Sequence, residues 1–263
     1  MLDLDLTDKV AIVTGASKGI GAAAVRQLAD AGAHVAFCAR GAESIEELAA
    51  HQPEAGAGSV RGHTADMADA DSTAAFLDAV EAELGPADIL VNNVGASPSR
   101  NFLYMSDDDW EQLHQLNLMS AVRCSRRVIP AMREAGWGRI VMVSSGAAFY
   151  PNASLIDYAA TKAAMVATAK ALATKYGRDG ILVNSVNPGL IHTAMWQRAA
   201  EEIAETSELT AAQVIERNGR SVPVGRYGTS DEVANMITFL CSNAGSYCNG
   251  SVFTVDGGMA SHV

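Results

Sequence analysis

Positive charge is scarce in this chain. Nineteen lysines and arginines stand against 30 aspartates and glutamates, a formal net charge of −11, whereas phosphate-rich polymers are held by clustered Lys and Arg. Nucleic acid and an anionic membrane surface are therefore disfavoured as main partners, although a few local cations can still hold a small anion. Cysteine is sparse too. Cys38, Cys124, Cys241 and Cys248 do not fall at metal-ligand spacing, so the expectation is no metal site and free thiols in a reducing cytoplasm. The acidic opening MLDLDLTDK is unlike the basic and then apolar leader of a secreted chain. No apolar run approaches the ~18–20 residues that cross a bilayer, and no Pro-, Gly- or Ser-rich linker divides the chain.

What is present is the rhythm of an α/β protein. Of the 263 residues 49% are apolar and 19% charged, and the 23 glycines are scattered, which excludes a disordered or fibrous class. Short runs rich in β-branched residues (KVAIVTG, HVAFCAR, SVRGHTA, ADILVNNVG, GRIVMVSSG, ILVNSVNPG and SVFTVDGG) alternate with longer alanine-rich stretches. The alternation predicts βαβ units, and the nearly continuous apolar strand cores predict helices on both faces. The expected fold is a doubly wound parallel (Rossmann) sheet of about seven strands in a three-layer α/β/α sandwich. A single domain over residues 1–263 is expected, with a helical lid at about 190–222.

Ligands of such sheets bind beyond the carboxyl ends of the strands, so the residues that follow each strand are the ones to read. After the first strand comes TGASKGIG, with Gly15, Gly19 and Gly21, and then a helical run. Glycines there let the backbone approach a pyrophosphate while the helix N-terminus offers free N–H donors. Further along, DYAATKAAM places Tyr158 and Lys162 four residues apart, on one face of a helix.

The glycine turn, NNVG at 92–95, a serine at 145, YAATK at 158–162 and VDGG at 255–258 together resemble the short-chain dehydrogenase/reductase family over nearly the whole chain. The resemblance implies an NAD(P)-dependent oxidoreductase acting on CH–OH groups. Its catalytic residues would be Asn117, Ser145, Tyr158 and Lys162, with Tyr158 giving and removing the substrate proton. Lys162 would lower the phenol's pKa and hold the nicotinamide ribose, Ser145 rather than Ser144 would hold the substrate oxygen, and Asn117 would bend its helix and order a water.

For the cofactor the resemblance implies Gly15, Ser17, Lys18, Gly19, Ile20 and Gly21 on the turn, with Asp66 and Met67 after the third strand. Asn93 and Gly95 follow the fourth, Pro188 and Gly189 pass the nicotinamide, and Ile191 and Thr193 contact its carboxamide or the diphosphate; Tyr158 and Lys162 belong to this set as well. Where relatives that use NAD carry an acidic residue the chain has Ala39, followed by Arg40. A guanidinium can bind a 2′-phosphate that a carboxylate would repel. NADP(H) is therefore expected over NAD(H).

The substrate is expected to meet Ser97, Phe149, Leu155 and Trp196, with Ala96, Pro98, Tyr150, Asn152 and Met195 nearby, a largely apolar set suited to a hydrophobic ketone or secondary alcohol. Among relatives, 3-oxoacyl-acyl-carrier-protein reductases bind an acidic carrier protein, which calls for a basic patch. At the corresponding positions, expected near the pocket mouth, the chain has Gly136 and Asp179, with Arg133, Arg139 and Arg178 close by. A small-molecule substrate is thus the leading expectation, the carrier-linked one the alternative, and a non-catalytic NADP(H)-binding protein a third. The family also implies a homotetramer or a dimer, in which the short side chains of AATKAAMVATAKALATKYG would allow close helix packing.

Overall fold

The predicted apolar runs form a parallel seven-stranded sheet in the order β3-β2-β1-β4-β5-β6-β7. The strands are β1 (Val10–Thr14), β2 (His34–Ala39), β3 (Ser59–Thr64), β4 (Ile89–Asn92), β5 (Gly138–Val143), β6 (Ile181–Pro188) and β7 (Val252–Val255). The computed structural model describes residues 2–53 and 58–260, the side chains at 194, 195, 198 and 199 excepted. The register places Ile12 beside Ala36 on one side and Leu90 on the other. The central strands β1, β4 and β5 are buried throughout, as strands covered on both faces must be.

Helices cover each face. On one side α1 (Gly19–Asp30) and α9 (Ser230–Cys241) press Leu28, Ile237 and Leu240 against Val13, Val35 and Val91. On the other, α3 (Ala70–Leu84), α5 (Ser120–Ala135) and α6 (Ile156–Tyr176) bring Phe76, Met132 and Met165 onto Ile12, Leu90 and Ile140. Each fully buried large apolar side chain contributes roughly 1.5–3 kcal/mol. α2 (Ala42–Ala49) closes the β2–β3 edge, and among the described residues no helix is long and apolar enough to cross a membrane.

Two features bear on the site. The helix α4 (Asp107–His114) runs into α5 through a π-helical turn at Gln115–Met119, and such single wide turns bend a helix and re-aim its side chains. Between β6 and α9 the segment expected to be helical forms two helices, α7 (Ala194–Glu205) and α8 (Ala211–Arg220). Their base is pinned where Gly228 N donates to Leu190 O and His192 N to Gly228 O, both at 2.9 Å.

One expectation is corrected by the topology. Gly136 and Asp179 do not lie near the pocket mouth: they immediately precede β5 and β6 and sit at the amino ends of these strands, the opposite edge of the sheet. There Arg133 Nε pairs with Asp179 Oδ2 at 2.7 Å. Arg139 is buried with its guanidinium 4.3 Å from the Trp137 ring. These arginines brace the sheet's lower edge.

Candidate active site

The carboxyl ends of the strands enclose a cavity of about 610 Å³, and the glycine turn forms its floor. Gly15 has φ +67°, a conformation that L side chains rarely adopt, and a Cβ there would stand 2.7 Å from Val94 Cα. A Cβ on Gly21 would meet Asn93 Nδ2 at 2.5 Å. The turn is held down by Asn93, whose side-chain amide donates to the carbonyls of Thr14 and Gly15 at 3.0 and 2.9 Å. Thr14 Oγ1 in return accepts the amides of Asn93 and Val94 at 3.1 and 3.2 Å. Thr14, the first residue of TGASKGIG, is thus a structural clamp on the turn. Lys18, at the N-cap of α1, makes no side-chain cap, whereas α3, α4, α8 and α9 are all capped by Asp, Ser or Thr. The first-turn amides of α1, at a cavity wall that includes Gly19, Ile20 and Gly21, are therefore available to an anion.

Of the expected cofactor residues, Gly15, Ser17, Lys18, Arg40, Asp66 and Met67, which follow β1 to β3, and Asn93, Gly95, Pro188, Gly189, Ile191 and Thr193, which follow β4 or lie at and beyond the end of β6, all line the cavity. Arg40 and Lys18 are exposed there. Asp66 has its carboxylate on the Ala68 amide and its own amide on Ser72 Oγ. Met67 is buried and also packs into the core.

The same cavity holds the reactive side chains. Ser145, Tyr158 and Lys162 line the cavity. Ser144 is tied away, its Oγ donating to the Lys162 carbonyl at 2.9 Å, while Ser145, whose Oγ accepts the Ala147 amide at 3.1 Å, lies close enough to the Tyr158 hydroxyl to act on it. Lys162 is 3% exposed, and its Nζ donates to Val143 O at 2.9 Å, 5.7 Å from the centre of the Tyr158 ring. Asn117 does not line the cavity. It is fully buried one layer behind, in the π-helical turn, with Oδ1 accepting the Ala96 amide at 2.9 Å and Nδ2 donating to Ala96 O and Thr161 Oγ1. A Cβ on Gly95 would stand 3.3 Å from Lys162 Nζ and 3.4 Å from Asn117 Oδ1, so these two side chains converge behind the cavity wall.

The electrostatics differ from expectation. Burial pushes the Tyr158 phenol above its ordinary value of 10, with the Ser145 hydrogen bond acting weakly the other way. Burial also pushes Lys162 down to about 8. In this arrangement Lys162 does not bring the phenol down, because its ammonium is turned onto the Val143 carbonyl and desolvation dominates.

Around the reactive end, Ser97, Leu155 and Trp196 line the cavity as expected, Trp196 being stacked edge-on to Tyr227 at 5.9 Å. Phe149 is 46% exposed and off the cavity wall. The 3-10 turn Gly146–Ala148 carries it outward, and Tyr150 lines the cavity. The Met195 side chain lies outside the described ones. Missed from sequence are Asp256, Met259 and Ala260, which line the same cavity. The signal was available in VDGG, since β7 ends at the same edge of the sheet as the other strands.

A family model described as short chain dehydrogenase matches residues 9–204. An uncharacterised oxidoreductase of Bacillus subtilis, YvrD, is 34% identical over 98% of both chains. The 3-oxoacyl-[acyl-carrier-protein] reductase FabG of Pseudomonas aeruginosa is 38% identical over 97% of this chain and 99% of its own. Among solved structures, L-sorbose reductase from Gluconobacter frateurii, complexed with NADPH and L-sorbose, superposes with a TM-score of 0.95 at 34% identity, covering 100% of both chains.

Proposed function

The chain belongs to the short-chain dehydrogenase family, and from that premise we propose that it is an NADP(H)-dependent reductase of small, largely hydrophobic ketones. The observation that carries this reading is the joining, in one cavity, of the glycine turn flanked by Lys18 and Arg40 with the Ser145, Tyr158 and Lys162 side chains. The fit to a dinucleotide rests on the cradle at Gly15 and Gly21, where a side chain would collide, and on the uncapped N-terminus of α1. The NADPH in the L-sorbose reductase complex supports the same choice. When bound, NADPH supplies the hydride that the carbonyl carbon receives.

The protein's own residues supply the proton. Ser145 orients the carbonyl oxygen, and Tyr158 donates its hydroxyl proton to that oxygen as the carbon is reduced, leaving an alcohol and a phenolate. Burial shifts the phenol upward and so favours the protonated form that can act as an acid. That suits reduction better than oxidation. Lys162, a cation below about pH 8, holds the nicotinamide ribose and restores the proton to Tyr158, with Asn117 behind it leading toward solvent. The helices α7 and α8 act as the lid, Trp196 closing on the substrate.

Arg40 selects the cofactor by meeting the 2′-phosphate. Arg40→Ala should lower the ratio of kcat/KM for NADPH to that for NADH by about 10- to 100-fold, the loss of a charge-assisted bond. A wild type that prefers NADH, with its preference unmoved by the substitution, would refute the assignment. The reading as a whole is tested by following oxidation of NADPH with a panel of aryl ketones, 3-oxoacyl thioesters, steroids and ketoses. Tight NADPH binding with no turnover of any of them would favour a non-catalytic binding protein.

A second reading, reduction of a 3-oxoacyl group on a carrier protein, draws support from the likeness to FabG. The net charge of −11 speaks against an acidic partner. Activity on thioesters confined to the carrier-linked form would reverse that order. The cytoplasm is the proposed compartment, and a homotetramer or dimer the proposed assembly. Ala160, Ala163, Ala167 and Ala171 lie exposed along α6, a face on which a second copy can approach closely. Sedimentation at micromolar concentration should give a dimer or tetramer, and a monomer there would overturn this.

A further inference from the structure

Arg100 lies in the loop between β4 and α4, three residues beyond Ser97, and has no part in the chemistry described above. Its side chain is 26% exposed and ties together three segments. Nη1 donates to Asp157 Oδ2 at 3.0 Å, Nη2 lies 3.2 Å from Asp109 Oδ1, and the Arg100 amide donates to Ser154 O at 3.2 Å. Asp109 is itself held in the capping box of α4, where Oδ2 accepts the Ser106 amide at 3.0 Å and its hydroxyl at 2.8 Å. The arginine is therefore anchored to a rigid helix end.

Asp157 is the residue before Tyr158. It is 1% exposed, and a buried carboxylate persists only when it is paired and hydrogen-bonded. Oδ2 takes the guanidinium, and Oδ1 accepts the Tyr158 amide at 2.8 Å. Leu155, at the N-cap position of α6, offers no side-chain bond to the first turn, so Asp157 satisfies one of its open amides from inside the helix.

We propose that the Arg100–Asp157 pair is a positioning clasp that holds the first turn of α6, and with it the Tyr158 hydroxyl, in register with the wall loop carrying Ser97. It acts on turnover of bound substrate and leaves cofactor affinity alone. The claim rests on Tyr158 being the proton donor. The charged groups facing Asp157 are Arg100 and, beyond it, Asp109; Tyr158 faces Ser145 and Lys162. Loss of Arg100 alone leaves a buried carboxylate without its ion partner one residue before Tyr158, while loss of both partners does not.

The test compares Arg100→Gln, Asp157→Asn, the double variant and Arg100→Lys in the full chain. Each single variant is expected to lower kcat for a ketone by about 10- to 100-fold, the scale of a small misplacement of a reacting group, with the KM for NADPH within about twofold. The double variant should lose no more than either single one, and Arg100→Lys should recover part of the loss. A second readout needs no turnover. Ultraviolet titration of each protein against its Tyr158→Phe counterpart isolates the Tyr158 phenol, and its midpoint should rise by about half a unit or more in Arg100→Gln and fall back in the double variant. Losses in kcat that add in the double variant, or an unmoved phenol midpoint in Arg100→Gln, would overturn the clasp. A wild type that reduces no ketone sinks the functional reading instead, and the titration still judges the clasp.

Discussion

Tyr158→Phe is expected to bind NADPH as the wild type does and to lose turnover by about 10²- to 10⁴-fold, the range over which a positioned proton donor accelerates a reaction. The substitution removes one oxygen from a side chain that faces Ser145 and leaves the ring in place. Packing around α6 is thus retained, and the measured difference is chemical. Binding is read from the quenching of protein fluorescence by NADPH, and turnover from steady-state rates. A Tyr158→Phe enzyme that still reduces ketones at near wild-type rates would remove the phenol from the mechanism. The raised phenol adds a directional expectation: reduction should persist across neutral pH, whereas oxidation of the alcohol should need more alkaline solution to remove the proton.

Lys162→Met should damage both kcat and NADPH affinity, because one ammonium is assigned both the proton return and the ribose contact. Stability supplies an independent check. The lysine is near 10.5 in the unfolded chain and about 8 in the fold, so between these values the unfolded chain binds more protons and stability rises with pH. Burial of the charge weighs fully on the fold below about pH 8 and is relieved above it. The wild type should therefore gain stability relative to Lys162→Met as pH increases from about 8 to about 10, as denaturant melts at several pH values would show. A difference that is flat with pH would mean that the lysine does not change its proton affinity on folding. Lowered turnover with unchanged NADPH affinity would place the ribose contact elsewhere.

Much of this site could be read from the chain alone because its parts are local. The seven strands were legible as apolar runs, and strand ends are where ligands bind, so Gly15, Arg40, Ser145 and Pro188 could be assigned by position. The pairing of Tyr158 with Lys162 followed from helical spacing. What was not legible depends on contacts between distant segments. The ammonium of Lys162 turns to a carbonyl of β5, 19 residues away in sequence, and no spacing rule names a main-chain oxygen. Phe149 was misplaced because a 3-10 turn moves neighbouring side chains apart, so one aromatic residue of a consecutive pair lines the wall and the other leaves it. Gly136 and Asp179 were put at the wrong edge of the sheet because likeness to a relative carries no sense of up and down, whereas the strand bounds do. The bond from Arg100 to Asp157 spans 57 residues, and nothing local announces it.

The cavity wall runs from Gly15 to Ala260, and this has a consequence for how the protein is made. During synthesis the phosphate cradle emerges well before the residues that close the far wall. A nascent chain released after β6 carries Tyr158 and Lys162 but lacks Asp256 and Met259, so its binding site has a side open to water. Cofactor meets the complete wall only once β7 lies against β6.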